Sequence, residues 1–238
     1  MKKFIKVGSV ALAIAMSVPA FAEEAEVEDE GAIGWTPIAV GIFSPVQIPW
    51  GSARWDVFGI DLGILWADAP KMYGLGVSGI AMATRDDMMG VQVSGLCNWA
   101  SKDVYGLRAT IGANITFGDT YGVDAGMFAY REGEFWGWDT NFLGNYGEKG
   151  LWGVALAGLL NLNMEQSYGF TCAIGGNMAP KAYGLQLAGI FNFTDELHGF
   201  QVGLVNFART CPWGLQLGLV NVIMDNQIKV LPLVNLYF

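Results

Sequence analysis

The sequence predicts an all-β protein: an antiparallel, up-and-down transmembrane β-barrel of about 12–14 strands. Three observations carry that expectation. An aromatic-Gly pair, or a close variant of one, recurs at a nearly constant spacing of 15 or 16 residues, which marks a repeat architecture. Within each copy apolar and small-or-polar residues alternate with period two, the pattern of a strand between two different environments. No Asp, Glu, Lys or Arg stands on the face that holds the aromatic, as a lipid-facing strand requires, because a charge there costs about 2–4 kcal/mol at the bilayer midplane.

Taken in order, the chain starts with a basic stretch, Lys2, Lys3 and Lys6, then the apolar run Val7–Val18, then Ala20-Phe21-Ala22. This is the layout of a secretory signal peptide over residues 1–22; the apolar run is too short for a membrane-spanning helix. Removing its three lysines and no acid takes the net charge from −9 to −12. Residues 23–34 form an acidic leader, with six acids in Glu23–Glu30, expected to be disordered and solvated. Residues 35–238 are expected to form one β-repeat domain. Trp35–Phe43 is a short candidate strand, and Ser44–Val57, with Pro45 and Pro49, breaks the pattern.

The repeats begin at Phe58-Gly59 and continue through Tyr73, Met89, Tyr105, Tyr121, Trp136, Trp152, Tyr168, Tyr183, His198 and Trp213, each followed by Gly. Most copies carry an Asn seven or eight residues after that glycine, from Asn98 to Asn221, and the charges gather between the copies. Each copy therefore reads as a strand of about nine to eleven residues and a polar turn of about five. Such a strand, tilted, covers roughly 23 Å, close to the apolar band of outer-membrane barrels. The aromatics Phe58, Tyr73, Tyr105, Tyr121, Trp136, Trp152, Tyr168, Tyr183 and Trp213 fall at strand ends, where a membrane-interface girdle belongs. The opposite face holds Asp61, Gln92, Arg108, Asp124, Asp139, Gln186, Gln201 and Gln216; in a barrel these line the lumen.

Two rivals stay open. A soluble sandwich would turn the apolar face inward. A β-solenoid of 15–16-residue repeats would stack the copies in parallel and align the aromatics, Gln186–Gln201–Gln216 and the asparagines into ladders. The period of one strand favours the solenoid, since neighbouring barrel strands run in opposite directions. Length speaks against it: a straight nine-residue strand needs nearly 30 Å, too far for a five-residue turn to return, so the coil would have to bend inside the alternating stretch.

The last strand, Lys229–Phe238, alternates Val230, Pro232, Val234, Leu236 and Phe238 with Leu231, Leu233, Asn235 and Tyr237. An apolar final strand ending in Phe resembles the assembly signal of bacterial outer-membrane barrels, with Phe238 as its terminal residue; the resemblance implies the barrel-assembly machinery as a partner. Pro232 lacks a ladder donor, so pairing is expected to break there. Gly199–Asn206 (Gly-Phe-Gln-Val-Gly-Leu-Val-Asn) and Gly214–Asn221 (Gly-Leu-Gln-Leu-Gly-Leu-Val-Asn), with Pro45-Val46-Gln47-Ile48-Pro49 ahead of them, resemble a family of bacterial surface-repeat proteins built from G-L-Q-[LI]-G-L-V-N units. That resemblance spans roughly Trp35 to Phe238 and implies a cell outer-membrane or surface location, with outer-membrane lipid as partner.

Little points to catalysis. The single histidine, His198, occupies an aromatic slot, and Cys97, Cys172 and Cys211 show no C-x-x-C spacing, so neither a metal site, a disulfide framework nor a cofactor is expected. Asp124 and Asp139 share a face and have the makings of an acid/base pair, but with Arg108 they read as a polar network. An acidic mature chain excludes nucleic acid as partner. The expected roles are a narrow pore with a polar lumen, passing small solutes, or a structural or adhesive surface protein without conduction; neither is an enzyme.

Overall fold

A computed structural model describes residues 32–237. The expected signal peptide (1–22), most of the acidic leader and the terminal Phe238 lie outside the described residues. The chain opens with β1 (Gly34–Phe43) and β2 (Val46–Ile48), an antiparallel hairpin, followed by a 3-10 turn at Ser52–Arg54. Then come β3 (Trp55–Gly63), β4 (Trp66–Ala69), β5 (Met72–Ser78), β6 (Ala81–Thr84), β7 (Met88–Ser94), β8 (Cys97–Ala100), β9 (Val104–Thr110) and β10 (Ala113–Thr116). The middle holds β11 (Thr120–Arg131), β12 (Phe135–Gly147), β13 (Leu151–Ala157), β14 (Leu160–Asn163) and β15 (Gln166–Ala173). The end holds β16 (Gly176–Ala188), β17 (Phe191–Val202), β18 (Val205–Ile223) and β19 (Val230–Leu236).

The all-β class is as expected, but the architecture is a β-solenoid, not a barrel. Each copy is one coil: a long limb that begins at the aromatic-Gly pair, a sharp bend, a short limb that carries the asparagine, and a charged turn. Long limbs pair only with long limbs, in parallel and in register: Tyr73 lies beside Phe58 and Met89, and Asp124 beside Arg108 and Asp139. Short limbs do the same, with Asn98 between Met82 and Asn114. Among the described residues, antiparallel pairing occurs only at the two ends, β1 with β2 and β18 with β19. The antiparallel neighbours of a 12–14-strand barrel are therefore replaced by parallel coils about 4.8 Å apart.

The length argument fails because the alternating stretch bends where a straight strand was assumed. In the copy that starts at Tyr73, β5 stops at Ser78 and β6 starts at Ala81. Bending exposes carbonyls that no ladder satisfies, and the asparagines answer that need. Asn98 Nδ2 donates to Ala109 O at 3.1 Å and to Asn114 Oδ1 at 2.9 Å. Asn161, Asn177, Asn192 and Asn206 repeat the pair, each bonding the next asparagine and the carbonyl at the next coil's bend.

The glycine after each aromatic has its own cause. Gly106 sits at φ 144°, and a Cβ on it would run into the backbone carbonyl of Gly90 in the preceding coil. Only glycine fits that conformation and that approach. The aromatics beside these glycines stack on one another, Trp136 on Trp152 at 4.6 Å and Trp152 on Tyr168 at 3.8 Å between centroids.

The interior between the two limbs has two zones. Next to the charged turns it is apolar, with Met72, Met82, Met88 and Val104 in one cluster and Ala182, Leu197, Cys211 and Ile223 in another. Towards the bends it is polar. The C-terminal strand β19 caps the last coil on β18, and its register breaks between Leu233 and Leu231, at Pro232, as expected for a residue without an N–H.

Candidate functional site

The side chains divide by side, in the direction the alternation called for. Asp61, Gln92, Arg108, Asp124, Asp139, Gln186, Gln201 and Gln216 all face inward and are buried. They pack in the solenoid core, however, so in place of lumen-lining residues they are the members of stacked polar columns. Gln216 Nε2 donates to Gln201 Oε1, and Gln201 Nε2 to Gln186 Oε1, each at 2.8 Å. Gln92 Nε2 donates to Thr84 Oγ1 at 2.7 Å.

The four charges at the centre of the column form one balanced cluster. Arg108 grips Asp124 with two bonds, Nε to Oδ1 at 2.9 Å and Nη2 to Oδ2 at 2.6 Å. Arg131 pairs with Asp139, reaches Asp124 at 3.6 Å and lies 4.2 Å above the Phe135 ring. Burial pushes the Asp139 carboxyl up to about 6 against the pull of Arg131. Asp124 and Asp139 are thus each tied to a guanidinium in a closed core, an arrangement for holding coils in register, with no approach for a substrate. Asp61 is different: its Oδ2 has no partner, and burial with Asp68 nearby raises its carboxyl to about 7.

Arg131 is an inward residue that the sequence does not single out: it stands beside Glu132 and Glu134 among the charges between copies, yet it is 2% exposed. The signal was present: Ala129 and Arg131 are two residues apart, and Ala129 aligns with Asn114 and Asn145, so both positions point inward. Asn141 is a second inward residue that the sequence does not single out. It stands where the next three long limbs have Ala157, Ala173 and Ala188.

The outer surface is the candidate site. The expected girdle residues Phe58, Tyr73, Tyr105, Tyr121, Trp136, Trp152, Tyr168, Tyr183 and Trp213 point outward in one row along the long limbs, several of them stacked. Below that row lie Leu75, Val91, Leu107, Val123, Val154 and Leu185. The bends then project a ridge of apolar tips: Ile111 and Phe142 are each 74% exposed and Ile174 73%. The short-limb face is apolar too, with Trp99, Ile115, Tyr130, Tyr146, Leu162 and Phe193; its one ionisable acid or base is Asp68, which pairs with Arg85 at 2.7 Å.

Eleven coils of about 4.8 Å, with limbs of about 20 Å on one side and about 13 Å on the other, make faces of roughly 1,000 and 700 Å². Soluble monomers seldom expose contiguous apolar patches beyond a few hundred Å². Apart from Asp68, charge on the outer surface gathers at the turn edge opposite the tips, where Lys71, Asp86 and Lys102 form a bridge across three coils at 3.4 and 2.6 Å, and Arg209 meets Asp195 at 3.0 Å. His198 belongs to this edge: Nε2 lies 2.7 Å from Glu196 Oε1 and the ring stacks on Tyr183. The hydrogen bond from His198 holds the Glu196 carboxyl below its usual range.

Among the described residues no group of three or more His, Cys, Asp or Glu side chains is placed to hold a metal, and no helix is long and apolar enough to cross a membrane. Comparison with protein-family models, curated proteins and solved structures finds no match to this chain.

Proposed function

We infer that the protein is a structural component of the bacterial outer membrane, a non-catalytic, non-conducting solenoid whose outer faces take up lipid. One observation supports this above the rest: polar and charged side chains fill the bend half of the interior, while two faces and the bend ridge carry apolar ones. Water would drive that distribution the other way round. Hydrocarbon favours it, provided the backbone is satisfied, and here every coil between the ends has its backbone paired on both sides.

The resemblance to surface-repeat proteins and the signal-like residues 1–22 agree with export to that membrane. The narrow-pore role is not carried forward, because it needs a barrel. Fractionation of cells tests the reading. The protein is expected in the outer-membrane fraction, resistant to high salt and carbonate and released by detergent. Recovery as a soluble periplasmic monomer would overturn it.

A further inference from the structure

We propose that the solenoid sits edge-on in the membrane, entering from one side without crossing, bend ridge first, with its coils stacked along the membrane plane and its charged turns in water. This rests on the lipid reading above and adds how deep, and which way up, the molecule lies.

The residues are layered by depth, and the same layering appears on both faces. At the turn edge stand the ionisable groups. The first outward row beneath them is mostly aromatic on the long-limb face, with Tyr105, Tyr121, Trp136 and Trp152, and mixed on the short-limb face, where Trp99, Tyr130 and Tyr146 stand among Ala83, Ile115 and Leu162. Their polar atoms turn back to the edge. Tyr105 Oη donates to Asp103 at 3.5 Å, Trp136 Nε1 to Glu134 at 3.1 Å, and Tyr130 Oη lies 3.2 Å from Glu132 and 3.0 Å from Glu148. Tyr and Trp with one wet end and one greasy end belong at the headgroup boundary. Below them the long-limb face carries Leu75, Val91, Leu107, Val123 and Val154, with Trp138 among them bonding Thr140 Oγ1 at 2.6 Å, and then comes the Ile, Leu and Phe ridge. The one acid on a face, Asp68, lies level with Trp99 in its limb and so falls at the boundary, beside its Arg85 partner.

A protein that crosses a bilayer needs a polar rim and an aromatic row at both surfaces. This one has a single charged edge and a single aromatic row per face. From the aromatic to the bend is six residue steps, as from Tyr73 to Gly79, or about 20 Å, against about 30 Å for the hydrocarbon core. The ridge therefore passes the midplane and stops short of the far headgroups. The unpaired strand edges that hydrocarbon would punish lie only at the two ends, where β2 and β19 double back as antiparallel caps. Acids outnumber bases along the turn edge, so anionic headgroups add nothing and zwitterionic lipid is enough.

The test uses the full chain with Cys97, Cys172 and Cys211 replaced by alanine, folded into phosphatidylcholine vesicles, and single cysteines restored as Glu132→Cys at the turn edge or Ile174→Cys on the ridge. A membrane-impermeant thiol reagent is applied outside, or trapped inside. Glu132→Cys is expected to react from outside, and Ile174→Cys to lose labelling from either side. A fluorophore on Ile174→Cys should be quenched more by bromines near the acyl-chain ends than by bromines near the headgroups. Reaction of Ile174→Cys with trapped reagent would mean that the chain crosses, and reaction from outside would mean that it lies on the surface; either sinks the one-sided placement and leaves the lipid reading standing. Failure of the chain to float with vesicles sinks the lipid reading itself. Should the cysteine variants not fold, the chain with Trp50, Trp66 and Trp138 replaced by Phe still decides, because Trp99, Trp136, Trp152 and Trp213 stand in the boundary row and should be quenched more by shallow bromines than by deep ones.

Discussion

The asparagine column has one gap, and the way the chain fills it makes a sharp test of what holds the coils together. At Ala129 the ladder residue is missing, between Asn114 and Asn145. Asn141 steps in from the next long limb: its Nδ2 donates to Asn145 Oδ1 and to Asp139 Oδ1, both at 2.5 Å. Gly126 opposite leaves it room, since a Cβ there would come within 3.1 Å of Asn141 Oδ1. Asn141→Ala removes a donor from one buried amide oxygen and one buried carboxylate. At about 1–3 kcal/mol for an orphaned neutral group and somewhat more for a charged one, the expected loss is roughly 3–5 kcal/mol. Adding Ala129→Asn should rebuild the ladder: the new amide can accept from Asn114 Nδ2 and donate to Asn145 Oδ1 and to the Thr140 carbonyl, as its neighbours do. At about 1 kcal/mol net per bond, the double variant should recover roughly 2–3 kcal/mol. Unfolding midpoints of the four proteins in one detergent at one concentration give the comparison. A double variant no more stable than Asn141→Ala would refute the claim that the ladder supports the bends.

Three further outcomes follow from the core. Gly106→Ala should cost more than about 3 kcal/mol and prevent folding, because the new Cβ meets the backbone of the preceding coil at an unfavourable φ; Gly51→Ala, whose Cβ faces open space at φ 88°, should still give folded protein by circular dichroism. Arg131→Met leaves Asp139 buried without its cation and should lose about 3–5 kcal/mol, whereas Arg131→Met with Asp139→Leu should lose less, read by the same unfolding midpoints. Asp61 binds its proton more tightly folded, at about 7, than unfolded, near 3.8; its contribution is therefore fully present below pH 3.8 and declines as pH rises to about 7. Asp61→Asn should flatten that part of the stability-pH curve, and an unchanged curve would show that Asp61 is not the group responsible.

Much of this was readable before any coordinates. The aromatic-Gly spacing marks the coil, and alternation assigns almost every side chain to its correct side. What defeated the reading was one assumed straight segment. Ser78-Gly79-Ile80-Ala81 looks like a continuation of the strand in a period-two count, because a bend that swaps limbs after an odd step keeps small and polar residues on the inside. The asparagines held the correction. Asn98 and its equivalents are poor strand residues, and their recurrence just past a glycine signals a carbonyl that needs a side-chain donor. Arg131 was lost for a related reason: where the turn begins was judged by charge, and a buried arginine beside two glutamates looks like one more surface ion.

The same alternation fits a barrel and this solenoid because both place lipid on one side of a sheet and polar groups on the other. They differ in how the polar side is satisfied. A barrel lets water do it, and then neighbouring strands have no need of matching residues. A closed coil must do it with side chains from the coils above and below, so like must stand on like: Asn on Asn, Gln on Gln, Arg108 on Asp124 where the column changes sign. Identity at the same slot of successive copies, Gln186, Gln201 and Gln216 above all, is therefore evidence of parallel stacking that hydropathy alone does not supply. It also limits how the column can vary, since a single unmatched charge such as Asp61 has no water to turn to and has to keep its proton.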